Sequence, residues 1–325
     1  MPMSRWPASV FLAALACASA LAQQTPVFTS EVNLVRVIAT IKNQAGELVG
    51  SLQKGDFEVF DNGVRQEVAH FERQTEQPLS IALLIDVSGS TAKDLKFETD
   101  SAARFLRALL AEGNPDDAVA LYTFNYAVTL QQSFTHNYRR LEDKFKLLKG
   151  EAGTALYDAV YYAAQELENR EGRKVIVVVT DGGDTTHSTL DSALRATQLA
   201  DAVIYPVVVV PITNDAGRNI GGEHALQFMA ERTGGRTFLP TLGAQLDRAF
   251  ADIITELRTQ YLLGFYPHGV PLTKDPFHKL EVRVKSPDLR VSARNGYYGE
   301  AERGAGRSDA RTAVTPDGRK KRPNQ

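Results

Sequence analysis

Apolar and polar positions alternate in short runs over residues 32–71, in VNLVRVIATI, DFEVF and VRQEVAHF, with turn signals at Asn43-Gln44-Ala45-Gly46 and Asp61-Asn62-Gly63. That texture predicts a small sheet-forming unit. After Pro78 the pattern changes. Residues 81–85 are solidly apolar, and Leu95, Ala102, Phe105, Leu106 and Leu109 follow at helical spacing. Strand-like runs at 118–124, 127–134, 175–179 and 203–210 then alternate with helical stretches at 156–167, 190–200, 225–232 and 246–257. Continuous apolar strands interleaved with amphipathic helices predict an α/β unit over 78–258, a doubly wound, mostly parallel sheet covered on both faces. From residue 259 the alternation returns in YLLGFYP, KLEVRVKS and LRVSARNGYY. Strands of the 23–77 segment need partners to bury their apolar face, so those of 259–299 are expected to pair with them in one small β subdomain.

The two ends of the chain read differently. Arg5 precedes an apolar run over 10–21 that closes on Ala20-Leu21-Ala22, the layout of a secretory signal cleaved after Ala22. The run falls short of the roughly 18 residues of a spanning helix. The mature protein is therefore expected outside the cytoplasm, whether periplasmic, on the cell surface or secreted. Cys17 is the only cysteine and lies inside that signal, so disulfides, thiolate metal sites and cysteine catalysis are excluded for the mature chain. Lipidation at Cys17, after Ala14-Leu15-Ala16, is the alternative to simple cleavage. Residues 300–325 carry seven bases against four acids and end in GRKKRPNQ, which reads as a disordered basic tail. A formal net charge of −2 and the lack of basic clusters interleaved with aromatics exclude nucleic acid as an expected partner.

In an open parallel sheet, ligands bind outside the carboxyl ends of the strands. The first central strand ends in Asp86-Val87-Ser88-Gly89-Ser90, with one carboxylate and two hydroxyls at alternate positions. The strand over 175–179 runs into Thr180-Asp181-Gly182-Gly183-Asp184, a second carboxylate at the same edge, and Thr154 precedes a helix between them. Carboxylates and hydroxyls around one point, with no His or Cys, make a hard oxygen site suited to Mg²⁺, Mn²⁺ or Ca²⁺. The blander reading of Asp86 and Ser88 is a capping loop at a helix start. Asp184 reads as a supporting group or a loop acid, His187 as a surface histidine, and Asp158 as a packing or capping residue.

Asp86-x-Ser88-x-Ser90, Thr154 in AGTALYDA and Asp181 in VVVTDGGD resemble the metal-ion-dependent adhesion site of von Willebrand factor type A domains, whose fold is Rossmann-like. NPDDAVALYTFN resembles the second-strand segment of that family. The VNLV-to-DFEVFDNG opening and QYLLGFYP-to-RNGYYG close resemble a narrower VWFA-related family of exported, Acidobacteria-type bacterial proteins. The resemblance implies that Ser88, Ser90 and Thr154 coordinate the metal directly. It also implies that Asp86 and Asp181 act through water or by orienting the hydroxyls, and that a partner's carboxylate completes the coordination.

The sequence thus points to a non-enzymatic, metal-dependent binding module that grips an acidic residue of another protein. The alternatives are a metal-assisted hydrolase and a structural envelope protein with an unused metal site. A phosphoaspartate enzyme would want a second aspartate where Ser88 stands, and no nucleophile-elbow or phosphate-loop pattern is present.

Overall fold

The computed structural model describes residues 34–73, 77–150, 152–186, 188–210, 219–271 and 276–299. The signal segment, Cys17, His187 and the basic tail lie outside the described residues. The elements run β1 (Val35–Lys42), β2 (Phe57–Asp61), β3 (Val64–Gln66), β4 (Val68–Arg73), β5 (Leu79–Asp86), α1 (Leu95–Glu112), β6 (Ala118–Phe124), β7 (Val128–Thr135) and α2 (Tyr138–Phe145). They continue with α3 (Leu156–Glu168), β8 (Arg173–Thr180), α4 (Leu190–Leu199), β9 (Ala202–Val208), α5 (Ile220–Thr233), α6 (Ala244–Thr259), β10 (Tyr261–Phe265), β11 (Phe277–Val284), β12 (Arg290–Ala293) and β13 (Gly296–Tyr298).

The central sheet has the order β7-β6-β5-β8-β9, parallel except for the antiparallel edge strand β7. Every residue of β5 is buried. Its side chains divide by parity, as the two-residue period of a strand requires. Leu79, Ile81, Leu83 and Ile85 join a core with α1, α2 and α6, while Ala82 and Leu84 join a second core with α3, α4 and α5. This is the doubly wound, mostly parallel architecture that the apolar runs predict. The chain leaves β5 for β6 on one side and returns to β8 on the other, so the order reverses between β5 and β8. Those are the strands that end in Asp86 and in Thr180-Asp181.

Strands of the 34–73 and 261–298 segments pair with each other in two sheets. One has the order β12-β1-β10-β4 and the other β13-β11-β2-β3. Val35, Val37, Ala39 and Ile41 of β1 share a single core with Phe57 and Val59 of β2, Tyr261, Leu263 and Phe265 of β10, and Leu280 of β11. Residues of both sheets meet in that core, so each sheet covers the apolar face of the other. The turn at Asn62-Gly63 joins β2 to β3 with φ of 47° and 82°, the left-handed pair that a two-residue hairpin requires. Buried Asp61 pins this layer: it accepts from Tyr297 Oη at 2.7 Å and pairs with His278 Nδ1 at 2.9 Å. Among the described residues, no helix is long and apolar enough to cross a membrane.

Candidate metal centre

Asp86 is the last residue of β5 and is fully buried. Each of its carboxylate oxygens accepts one hydrogen bond: Oδ1 from the Ser88 backbone N–H at 2.8 Å, and Oδ2 from Thr180 Oγ1 at 2.7 Å. The first folds the DVSGS loop back on its own strand, and the second ties the ends of β5 and β8 together. Thr91 Oγ1 donates to the carbonyls of Asp86 and Ser88, which closes the loop from behind. In this frame the Ser88 and Ser90 hydroxyls lie 2.9 Å apart. Ser88 is buried and Ser90 exposed, so the hydroxyl pair leads from the interior to solvent.

The other two candidate ligands come from neighbouring loops. Val87 N–H donates to the Phe124 carbonyl and Ala155 N–H to that of Asn125, so the end of β6 holds both the Asp86 loop and the Thr154 loop. Gly153 has φ 87°, and a side chain there would press on Tyr126 Cβ at 2.9 Å. Glycine is what lets the chain pass so close before Thr154. Thr154 N–H donates to Thr185 Oγ1, and Thr185 N–H donates to the Thr154 carbonyl, each at 2.9 Å. The Thr154 loop is thereby fastened to the loop that carries Asp181. Among the described residues, no hydrogen bond joins the Asp181 carboxylate or Thr154 directly to the Asp86 loop. Asp86, Ser88 and Ser90 are thus hydrogen-bonded to one another, while Thr154 and Asp181 reach the same edge of the sheet on loops held by backbone and threonine contacts.

Asp184 and Asp158 have other work. Asp184 accepts from Tyr157 N–H at 3.2 Å, in the first turn of α3, and from Thr186 N–H at 3.1 Å, so it caps a helix across the loop. Asp158 accepts from Ser188 Oγ.

Sequence reasoning missed one residue beside the site. Glu98, in the first turn of α1, is only 1% exposed, and its Oε2 has no hydrogen-bond partner among the described residues. Burial, with repulsion from Asp86, Asp94 and Asp181, pushes its carboxyl up to about 8. Burial likewise pushes Asp86 up to about 6, against the lowering effect of the Thr180 and Ser88 hydrogen bonds, and Asp181 adds repulsion. Burial and repulsion thus hold Asp86 and Glu98 toward their neutral forms. Among the described residues, no group of three or more His, Cys, Asp or Glu has the arrangement of a metal cage. The donor set is two carboxylates and three hydroxyls, all hard oxygens, and it fits a small divalent cation that keeps open positions.

A family model described as von Willebrand factor type A domain matches residues 81–183, bounds that enclose all five candidate ligands. No curated protein matches the chain. Among solved structures, it is similar to the vWF domain of the type V pili tip protein Mfa5 from Porphyromonas gingivalis, 15% identical over 55% of this chain and 94% of that one, with TM-score 0.47. It is also similar to the conserved hypothetical protein BatB from Bacteroides thetaiotaomicron, 20% identical over 55% of this chain and 98% of that one, with TM-score 0.42. A third is the pilus adhesin SpaC from Lactobacillus rhamnosus GG in its open conformation, 10% identical over 74% of this chain and 47% of that one, with TM-score 0.47. With the sheet order and the matched segment in agreement, the central α/β unit of this chain contains a von Willebrand factor type A domain.

Proposed function

We propose that the chain is a non-enzymatic, divalent-metal-dependent protein-binding module of an exported bacterial protein, serving adhesion or assembly. Ser88, Ser90 and Thr154 would hold Mg²⁺, or Mn²⁺ or Ca²⁺ in its place, while Asp86 and Asp181 orient the hydroxyls and balance charge. When bound, the cation supplies an open position that attracts a carboxylate from a partner protein. The observation that carries this reading is the Asp86 loop. A buried carboxylate is fully hydrogen-bonded on the inside, with two hydroxyls side by side between it and solvent. A capping loop would satisfy the first feature but has no need of the second.

Among the described residues, no histidine or cysteine side chain hydrogen-bonds to these hydroxyls. The imidazole in the Asp61 cluster, His278, belongs to the flanking β layer. The test is calorimetric titration of the chain with Mg²⁺ and Mn²⁺, beside Asp86→Ala and Ser88→Ala. Saturable binding that is lost in both folded variants supports the reading. A wild-type chain that takes up neither ion, even with an acidic peptide present, overturns it.

A further inference from the structure

At the opposite end of the central sheet lies a cavity of about 410 Å³, between the first residues of β8 and β9 and the flanking strands β1 and β10. Its wall is cationic. Arg36, Arg170, Arg173, Lys174 and Arg294 line it, against two acids, Glu171 and Asp201. Asp201 pairs with Arg294, and the five bases outnumber the two acids, so the wall keeps a net positive charge.

Arg173, the first residue of β8, is 4% exposed. Its Nη1 donates to the Leu257 carbonyl and to Gln260 Oε1, which fixes the guanidinium plane. Its Nε and Nη2 are buried and have no acceptor among the described residues. Those two nitrogens form the edge of a guanidinium that grips a carboxylate or phosphate through two parallel hydrogen bonds. A second buried guanidinium in the same wall, Arg294, has no acceptor for its Nε among the described residues. Unmet buried donors of this kind lose their hydration without a replacement and destabilise the fold. Folding would not be expected to tolerate that in the absence of an acceptor.

From this geometry we infer that the cavity is a binding site for a small oxyanion, a phosphate or carboxylate group seated on the Nε–Nη2 edge of Arg173 with Arg294 beside it. Arg36 and Lys174 add attraction, and the cavity volume admits a small molecule larger than the anion alone. Burial draws Arg173 down to about 10, so it remains a cation at neutral pH. β8 separates Arg173 from Asp181 by its full eight residues, roughly 25 Å at strand rise. The site is therefore independent of the metal reading. Its walls come from both the flanking strands and the central sheet, so the anion would also brace one layer on the other.

The test is calorimetric titration of the full chain, in EDTA and low-chloride buffer, with inorganic phosphate and separately with succinate. Arg173→Met and the mouth variant Arg36→Gln/Lys174→Gln are compared with Asp181→Asn. The expected result is saturable one-to-one binding of at least one anion, weakened ten-fold or more in Arg173→Met and at least three-fold in the mouth variant, and unchanged in Asp181→Asn. Which anion binds tells phosphate from carboxylate. If Arg173→Met does not fold, the mouth variant decides. The inference is overturned if neither anion binds the wild type saturably, or if binding survives unchanged in the variants that fold.

Discussion

Thr180 Oγ1 donates to Asp86 Oδ2 at 2.7 Å, joining the ends of two adjacent strands that lie 94 residues apart in sequence. The same hydroxyl accepts from Gly182 N–H at 3.1 Å, so it also shapes the turn that carries Asp181. One side chain thus positions both candidate carboxylates. Thr180→Val keeps the shape and removes the donor. It should cost roughly 1–3 kcal/mol in denaturant unfolding, because a buried carboxylate oxygen loses its partner. Thr180→Ser should restore most of that. Metal affinity should follow the same order, and equal stability of the Val and wild-type chains would remove Thr180 from this role.

Glu98 sets a pH dependence that the metal should oppose. Its ordinary value is 4.5, and burial holds it near 8 in the folded chain. Between those limits the folded state keeps a proton that the unfolded chain has released, so stability falls as pH rises and levels off above about 8. Asp86, raised from 3.8 to about 6, adds to the slope only in the lower part of that window. Glu98→Gln should therefore flatten metal-free stability between pH 6 and 8 and leave a slope below 6. The gain near pH 8 should be roughly 2–4 kcal/mol. Added Mg²⁺ should reduce the wild-type slope. Parallel curves for wild type and variant would contradict this account.

Why some of this was legible in the chain and some not is itself physical. DVSGS and TDGGD stand out because each follows a β-branched or aliphatic run long enough only for a buried strand, and the ends of such strands are where polar loops collect. The helix α2 gave no such signal: its buried residues are Leu141 and Phe145 alone, too few for a period to show. The flanking strands announced their alternation but not their division into two sheets, since strand pairing is a matter of tertiary register. Glu98 and Arg173 were illegible for a related reason. A glutamate in a helix's first turn and an arginine opening a strand look solvated, and only packing from remote segments buries them.

Glu256 of α6 is the polar strap between the central unit and the flanking strands. It is 1% exposed and receives Lys42 Nζ of β1 at 2.7 Å, Arg236 Nε at 2.8 Å and the Tyr205 hydroxyl at 3.3 Å. Removing its carboxylate takes the anion from Lys42 and leaves Arg236 with only its longer pair to Asp252 at 3.9 Å. Discounted for the partial exposure of Lys42 and Arg236, Glu256→Ala should cost roughly 2–4 kcal/mol in chemical denaturation. Arg104→Ala breaks the exposed pair with Asp247 and should cost under about 1 kcal/mol. Similar losses in the two variants would show that Glu256 is not a strap.

Two adjacent glycines in the first turn of α5 make the sharpest contrast. A methyl group on Gly222 would stand 1.3 Å from the Gly182 carbonyl oxygen, backbone against backbone, in the loop that follows Asp181. Neither side can yield by rotating a side chain, so α5 or the Asp181 loop must shift. On Gly221 the same methyl would meet only Asn219 Oδ1, at an ordinary 3.6 Å. Gly221→Ala should then be neutral or stabilising by up to about 1 kcal/mol, as alanine in a helix is. Gly222→Ala should cost roughly 1–3 kcal/mol by overpacking and displace the second carboxylate. Because Asp181 is placed only by its loop, Mg²⁺ affinity in Gly222→Ala should fall at least ten-fold while Gly221→Ala matches the wild type. Calorimetry on the two folded variants decides it: equal affinities would mean that the close approach of α5 to this loop has no part in forming the site.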